Sequence, residues 1–213
     1  MFEKYQVEKV HPKVTYDYIK NKHYAKRLPP ISYAFAIYKD GFELVGVLTI
    51  GKPASNSLCE GVCGVEQKDK VYELNRLFML NDQPRNLLSY FVSKCLKMLK
   101  EDDLILVSYA DTAMNHHGFI YQATNWLYTG KTKSRTDKYT KEGKHSRHYK
   151  NEDESLRKFR SSKHRYIYFT GKSKKIYVQK LNYEIKPYPK GENKNYEHSF
   201  KLKDKIIKAN EIA

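Results

Sequence analysis

The stretch from Tyr72 to Gly130, YELNRLFMLNDQPRNLLSYFVSKCLKMLKEDDLILVSYADTAMNHHGFIYQATNWLYTG, decides the fold. ELNRLFML has strand character, with Leu74, Leu77 and Met79 among its apolar positions. From Pro84 to Lys100 the period changes. Leu87, Leu88, Phe91, Val92, Cys95, Leu96 and Leu99 recur at helical spacing, with Asn86 placed as an N-cap. LILVSYA reads as a short buried strand, FIYQATNW as a helix and WLYTG as another strand. Parallel strands joined through helices bring their carboxyl ends to one edge of a sheet, where ligands bind in the crevice. Asp111, closing LILVSYAD, is therefore expected to face a site. The competing reading is a helix N-cap.

Working outward, ISYAFAIYKDGFELVGVLTIG predicts two antiparallel strands turned at Asp40-Gly41. The first 28 residues predict a helix around Tyr16 to Lys22 that stops before Pro29 and Pro30. KPASNSLCEGVCGVEQKDK, full of turn residues, reads as a long loop. Residues 131 to 160 are polar, basic and turn-rich, and RYIYFTG and KKIYVQKL predict a second hairpin. From Pro187 onward a polar, mobile or draped tail is expected.

With 213 residues the chain suits one domain with an extension. No apolar run approaches the roughly 20 residues that cross a bilayer, so a cytoplasmic protein with no membrane partner is expected. Cys59, Cys63 and Cys95 lack zinc-site spacing, and reduced thiols are expected. Charge is the stronger clue. The formal net charge is +16, split as +2 over residues 1–130 and +14 over residues 131–213. A near-neutral front and a basic back, with tyrosines among the cations, suit a nucleic-acid partner: phenol rings stack on bases while cations hold phosphates.

Hairpin, strand, long helix, buried strand, helix and late strands is the order of the GNAT-type acetyltransferase fold, an α+β architecture with a mixed central sheet splayed at its centre and flanked by helices. HYAKRLP at 23–29, ELNRL at 73–77, PRNLLS at 84–89, SYAD at 108–111, HHGFIYQATNWLYTG at 116–130 and KHRYIYF at 163–169 together resemble the phage Mom family of DNA-modifying proteins, from about His23 to Lys190. The resemblance implies an enzyme that converts adenine in DNA to N6-(carbamoylmethyl)adenine and so protects phage DNA from host restriction. On this reading residues 1–185 form one catalytic domain, with a basic nucleic-acid-facing insertion at 131–165 and a basic extension at 186–213. One departure concerns the donor. Acyl-CoA enzymes place a Gly-rich turn before the long helix so that backbone amides approach the pyrophosphate. NDQPRNLLS has no glycine, and its proline removes an amide, which makes acyl-CoA the least favoured donor.

The carbamoylmethyl substituent is an isomer of a glycyl amide, so an activated glycine such as glycyl-tRNA is one candidate donor. The rival is metal-assisted or radical transfer, with iron held by His23, Tyr24 and Asp111. Catalytic candidates are His23, Tyr24, Ser108, Asp111 and Tyr121. His23 and Arg27, four apart, would share a helical face. Arg27, Glu73, Arg76, Asn86, Ser89, His117, Gln122 and Asn125 are candidates for holding substrate; Glu73 and Arg76 are alternatively an ion pair across two faces of a strand. Of His116 and His117, at most one is expected to reach the site. Trp126 and Tyr128 read as core. An adenine in a duplex needs flipping out before its surroundings can react. Lys131, Lys133, Arg135, Lys144, Arg147, Lys163 and Arg165 are the candidates for holding double-stranded DNA. A tRNA and a second copy of the chain are further candidate partners. The rival functions are a GNAT-like N-acyltransferase with another acceptor and a nucleic-acid binder without chemistry.

Overall fold

The computed structural model describes residues 2–139, 156–192 and 206–208. Its elements are β1 (Tyr5–Lys9), β2 (Tyr33–Lys39), β3 (Glu43–Gly51), α1 (Asn56–Cys63), β4 (Val71–Met79), α2 (Leu87–Met98), β5 (Ile105–Asp111), α3 (Phe119–Ala123), β6 (Leu127–Lys131), β7 (Arg135–Lys138), β8 (Leu156–Arg160), β9 (Lys163–Phe169), α4 (Lys174–Gln179) and β10 (Ile206–Lys208). Seven strands form a mixed sheet in the order β1-β2-β3-β4-β5-β9-β6, and β10-β8-β7 form a second, three-stranded sheet. The large sheet, flanked by helices, is the GNAT-type architecture expected from the order of elements.

The β2–β3 hairpin forms where Asp-Gly predicts it. Asp40 and Gly41 both take positive φ, 50° and 81°, the backbone that matches the twist of paired strands. β4 and β5 are parallel, but they pair only from Val71–Ile105 to Glu73–Val107. Beyond those residues the strands part, and this gap is the splay. β6 does not neighbour β5, because β9 runs antiparallel between them. β4, β5 and β6 nevertheless point the same way, so their carboxyl ends share an edge as expected.

Three local expectations need correction. The stretch taken as a loop after β3 holds α1, capped by Ser55 Oγ accepting from Leu58 N at 3.2 Å and docked by Cys59, Val62 and Cys63 at i, i+3, i+4 spacing. KKIYVQKL is not a strand: Lys174–Gln179 is α4. The stretch at 131–160, read as turns, contains β7 and β8, and a strand not foreseen, β1, pairs with β2. The tail beyond Pro187 is draped as far as it is described: Tyr188 OH donates to Trp126 O at 2.8 Å. Among the described residues no helix is long and apolar enough to cross a membrane.

The sheet carries a core on each face. Phe91, Val92 and Cys95 of α2 with Tyr121 of α3 cover one, against Leu48, Leu74, Leu106 and Trp126. Cys59, Val62 and Tyr177 of α1 and α4 cover the other, against Val71, Ile105, Val107 and Ile167. The three cysteines are buried free thiols. A smaller cluster of Ile19, Val47 and Phe78 lies under the N-terminal segment.

The α4 helix is held by Asp103, whose carboxylate accepts from Ser173 N at 3.0 Å, Ser173 Oγ at 2.8 Å and Tyr177 OH at 2.9 Å. Partial burial alone would raise the Asp103 pKa; the Ser173 and Tyr177 hydrogen bonds outweigh it and hold the carboxyl below its usual value. A depressed carboxyl contributes stability above its ordinary pKa, and that contribution is lost as pH falls through the folded value. Asp103→Asn, which keeps a residue tolerant of the positive φ of 49°, is expected to cost about 1 kcal/mol at neutral pH. Melting curves of the two proteins should converge in acid.

Candidate active site at the splay

The site begins with one extra residue. Thr49 pairs with Arg76 but Ile50 pairs with Leu74, so Asn75 is a β-bulge in β4. Tyr72, Leu74, Leu77 and Met79 consequently face the α2 core. Glu73 and Arg76 are sent together to the opposite face, although a spacing of three in a regular strand separates them. The two therefore do not lie across two faces of the strand, and each is within electrostatic reach of the other.

Asn75 and Arg76 then fasten residues 23–30 over the gap. Thr49 Oγ1 donates to Asn75 Oδ1 at 2.7 Å, and Asn75 Nδ2 donates to Pro30 O at 2.9 Å. Arg76 donates through Nε and Nη2 to Arg27 O, at 3.3 and 2.9 Å, and through Nη1 to Asn75 O at 2.6 Å. A Cβ at Gly51 would collide with the Pro30 carbonyl, so this close approach needs glycine. The strap brings Tyr24 within electrostatic reach of Arg76 and Asp111.

Burial pushes the Glu73 carboxyl above its usual pKa, and the nearby Lys163 and Arg76 charges only partly oppose it. Burial also lowers the Arg76 pKa, against the pull of Tyr24 and Glu73, while Arg27 adds like-charge repulsion. The Tyr24 hydroxyl is pushed up by burial against Arg76, with Asp111 adding to the rise. A protonatable carboxyl, a guanidinium and a neutral phenol thus meet at the opened strands.

Asp111 closes β5 beside the gap and caps the turn that follows it. Its Oδ1 accepts from Ala113 N at 3.0 Å, capping the short 3₁₀ turn Thr112–Met114 rather than the longer helix after it. Ser161 Oγ donates to the same oxygen. Its Oδ2 faces Lys163 Nζ at 4.0 Å. Ser108, on the other face of β5, spans the gap: its Oγ lies 2.9 Å from Leu74 O and 2.7 Å from Tyr121 OH. A carbonyl can only accept, so Ser108 gives its proton to Leu74 and takes one from Tyr121. Burial raises the Tyr121 pKa far above its ordinary value, and the phenol stays neutral. Tyr121 interacts electrostatically with Tyr24 and Glu73 through the gap.

Other candidates fall elsewhere. His23 ends the π-helical turn Tyr18–Lys22 in extended backbone, so it shares no helical face with Arg27. It is buried, its Nδ1 accepts from Ala25 N at 3.0 Å, and its ring stacks on Tyr24 at 4.3 Å. Arg27 is exposed and enters the site through its carbonyl. Asn86 occupies the N-cap position of α2 in left-handed backbone without a side-chain cap bond, and its carbonyl accepts from Ser89 Oγ at 2.9 Å. Gln122 Nε2 donates inward to His117 O at 3.1 Å and Tyr166 OH at 3.3 Å. Asn125 is an exposed left-handed turn residue after α3. The His117 ring lies against Gly191 and 5.7 Å from His164, whereas His116 is the histidine beside Asp111. Burial lowers the His116 pKa more than Asp111 raises it. His116 and Tyr109, a partly buried phenol next to Glu73 and Arg165, are the residues at the gap that spacing alone did not single out. Trp126 and Tyr128 are core, as read.

Of the cations proposed to hold DNA, Lys131, Lys133 and Arg135 are exposed, and Lys163 stands at Asp111. Lys144 and Arg147 lie outside the described residues. Arg165 is a correction: its Nε and Nη2 donate to Thr129 Oγ1 and O, at 2.9 and 3.1 Å, and its guanidinium stacks 3.3 Å from the Tyr183 ring. Its donors serve the fold. Arg165→Ala should therefore cost about 1–2 kcal/mol and leave the salt dependence of DNA binding unchanged, as titrations at several salt concentrations would show.

Neither implied cofactor gains support from the residues present. Before α2, Leu87 N donates to Pro84 O at 3.1 Å, in a turn that has no glycine. An amide that would face a pyrophosphate is thus already used, and this turn does not fit the phosphates of a CoA thioester. Among the described residues no group of three or more His, Cys, Asp or Glu is gathered as metal ligands. His23 Nδ1 is already an acceptor for Ala25 N.

A profile of the Mom protein family matches residues 4–190. The methylcarbamoylase mom of Escherichia phage Mu is 27% identical over 189 residues, covering 81% of this chain and 78% of that protein. Among solved structures, the ribosomal-protein-S5-alanine acetyltransferase of Vibrio fischeri is similar with a TM-score of 0.48 and 10% identity, over 80% of this chain and 95% of that one. The spermidine N-acetyltransferase of Vibrio cholerae, in complex with CoA and spermine, has a TM-score of 0.47 and 7% identity, over 82% and 98%.

Proposed function

The chain belongs to the Mom protein family, and from that premise we propose that it is a transferase that converts adenine in DNA to N6-(carbamoylmethyl)adenine, protecting phage DNA from host restriction. The observation that carries this reading is the meeting of Glu73, Arg76, Tyr24 and Asp111 where β4 and β5 part. A protein that only bound nucleic acid would have no use for a carboxyl with a raised pKa, held beside a guanidinium in the opening of a sheet.

The donor is an activated glycine ester of the glycyl-tRNA type. The adenine N6 attacks the glycyl carbonyl carbon, the new N–C bond forms, and the ester C–O bond breaks. Glu73 takes the amine proton and returns one to the departing ester oxygen, work that requires a group poised near operating pH. Arg76 places positive charge where the carbonyl oxygen becomes negative. The freed glycyl amine then attacks C6 through a five-membered ring, and the original C6–N6 bond breaks. The product is the carbamoylmethyl isomer with no atom gained or lost. Tyr24 and Asp111 orient the exocyclic amine.

Purified protein incubated with glycyl-tRNA and adenine-containing duplex should raise the mass of the DNA by one glycyl unit per modified base. No increase rejects this donor. The second reading is acyl transfer from CoA to another acceptor. Acetyl-CoA that raised the melting temperature of the protein would favour it.

A further inference from the structure

β7 and β8 leave the large sheet directly beside the splay and, with β10, make a small sheet of their own. Its root is tied to the site. Ser161 donates to Asp111, Thr112 Oγ1 donates to Ser162 O at 2.7 Å, and Lys163 N donates to Thr132 Oγ1 at 3.0 Å. Residues 131–139 and 156–163 contain eight Lys and Arg and a single acid, Asp137. That acid is neutralised by Arg160 at 2.8 Å and Arg135 at 3.4 Å.

The register sorts the two faces of this ribbon. Arg135 pairs with Arg160 and Asp137 with Lys158, which places the ion pairs on one face. Thr136 pairs with Phe159 and Lys138 with Arg157, which places a large aromatic ring beside a pair of cations on the other, where Arg157 Nη2 also donates to Thr136 O at 3.5 Å. Phe159 is 38% exposed. A basic face suits a phosphate backbone, and an apolar ring upon it suits a base stack, because apolar wedges enter between base pairs. The span also fits. At about 3.3 Å per residue, Phe159 lies roughly 13 Å along the chain from Lys163 at the site, comparable to the roughly 12 Å width of a major groove.

We propose that the β7–β8 ribbon docks on duplex DNA through the face bearing Lys138 and Arg157, and that Phe159 enters the stack at the position vacated by the flipped adenine. The inference rests on the reading that DNA is the substrate. It adds a wedge and the surface that carries it: cations grip the backbone, the ring fills the vacancy, and the extruded base reaches the splay at the ribbon's root. The Ser161–Asp111 hydrogen bond places the docked ribbon and the reacting groups in one register.

The test measures binding of the full chain to two labelled duplexes, each at several salt concentrations. In one a central adenine faces thymine; in the other it faces a pyrene nucleotide, whose bulk expels the adenine and fills the stack chemically. Phe159→Ala is expected to weaken binding to the first duplex about tenfold, in line with the loss of one stacking contact, and to bind the second as the unaltered protein does. Phe159→Trp should keep both affinities. Lys138→Ala with Arg157→Ala should weaken both complexes and flatten the salt slope by roughly 0.9 per lost phosphate contact. Equal loss on the two duplexes would assign Phe159 to the fold and overturn the wedge, as would no loss on either. If the unaltered protein binds neither duplex, it is the reading of DNA as substrate that fails.

Discussion

Glu73→Gln is expected to abolish base modification and, at the same time, to stabilise the protein at neutral pH. The first effect follows from the chemistry: an amide cannot take up the amine proton, and loss of a general acid–base typically costs about 10²–10⁴ in rate. The second follows from the direction of the pKa shift. Burial holds the Glu73 carboxyl above its usual value despite Lys163 and Arg76. An acid whose pKa is raised on folding contributes stability below its ordinary pKa, and loses it as pH rises through the raised value. At neutral pH the native protein therefore bears the cost of a poorly solvated carboxylate, and glutamine removes it. Melting temperatures across mildly acidic to neutral pH should rise less steeply toward acid in the variant. A variant that modifies DNA normally, or that melts lower at neutral pH, would contradict the assignment. Sites that are costly to the fold and needed for activity are where such opposed effects arise.

Arg76→Ala should damage stability and activity together. The guanidinium serves the carbonyls of Arg27 and Asn75 through three hydrogen bonds. Alanine leaves those oxygens without their charged donor and releases the strap that carries Tyr24. With hydrogen bonds to charged groups at about 1.5–3 kcal/mol each and the site partly open to water, the expected loss is about 2–4 kcal/mol. Denaturant midpoints measure it, and proteases should cut first within residues 23–30. Activity should fall by at least about 10², since the charge facing the developing oxyanion is removed as well. Arg76→Lys keeps a cation but cannot span two carbonyls with one ammonium, so it should recover part of the activity and little of the stability. Full stability in Arg76→Ala would show that the strap is held by Asn75 and Gly51 alone.

What the sequence reveals and what it hides divide along physical lines. The β2–β3 hairpin, α2 and β5 are legible because each is decided locally, by Asp40-Gly41, by the heptad-like leucines and by an apolar run. KKIYVQKL has the β-branched and aromatic residues of a strand, yet Asp103 and the buried Tyr177 ring fix it as a helix through contacts some 70 residues away in the chain. The insertion of β9 between β5 and β6 is equally non-local. In the site, Asp111 and Tyr24 are reached from short motifs. The pairing of Glu73 with Arg76 on one face is not, since it depends on a bulge at Asn75 that leaves no mark in a pattern of apolar positions. His116 and His117 are indistinguishable by type; only the turn after Asp111 decides which one approaches it. Asn125 does not stand one turn further along the helix, because α3 ends at Ala123 and left-handed backbone follows at Asn125.

The central claim, that the splay of this sheet carries out adenine modification, is tested most directly by mass spectrometry of nucleosides from the DNA of cells that express the protein. The unaltered chain should yield a deoxyadenosine heavier by one glycyl unit, and cells expressing Asp111→Ala or Glu73→Gln at equal levels should yield none. Unmodified DNA from cells rich in soluble, unaltered protein would contradict the account, as would the same heavier nucleoside from both variants.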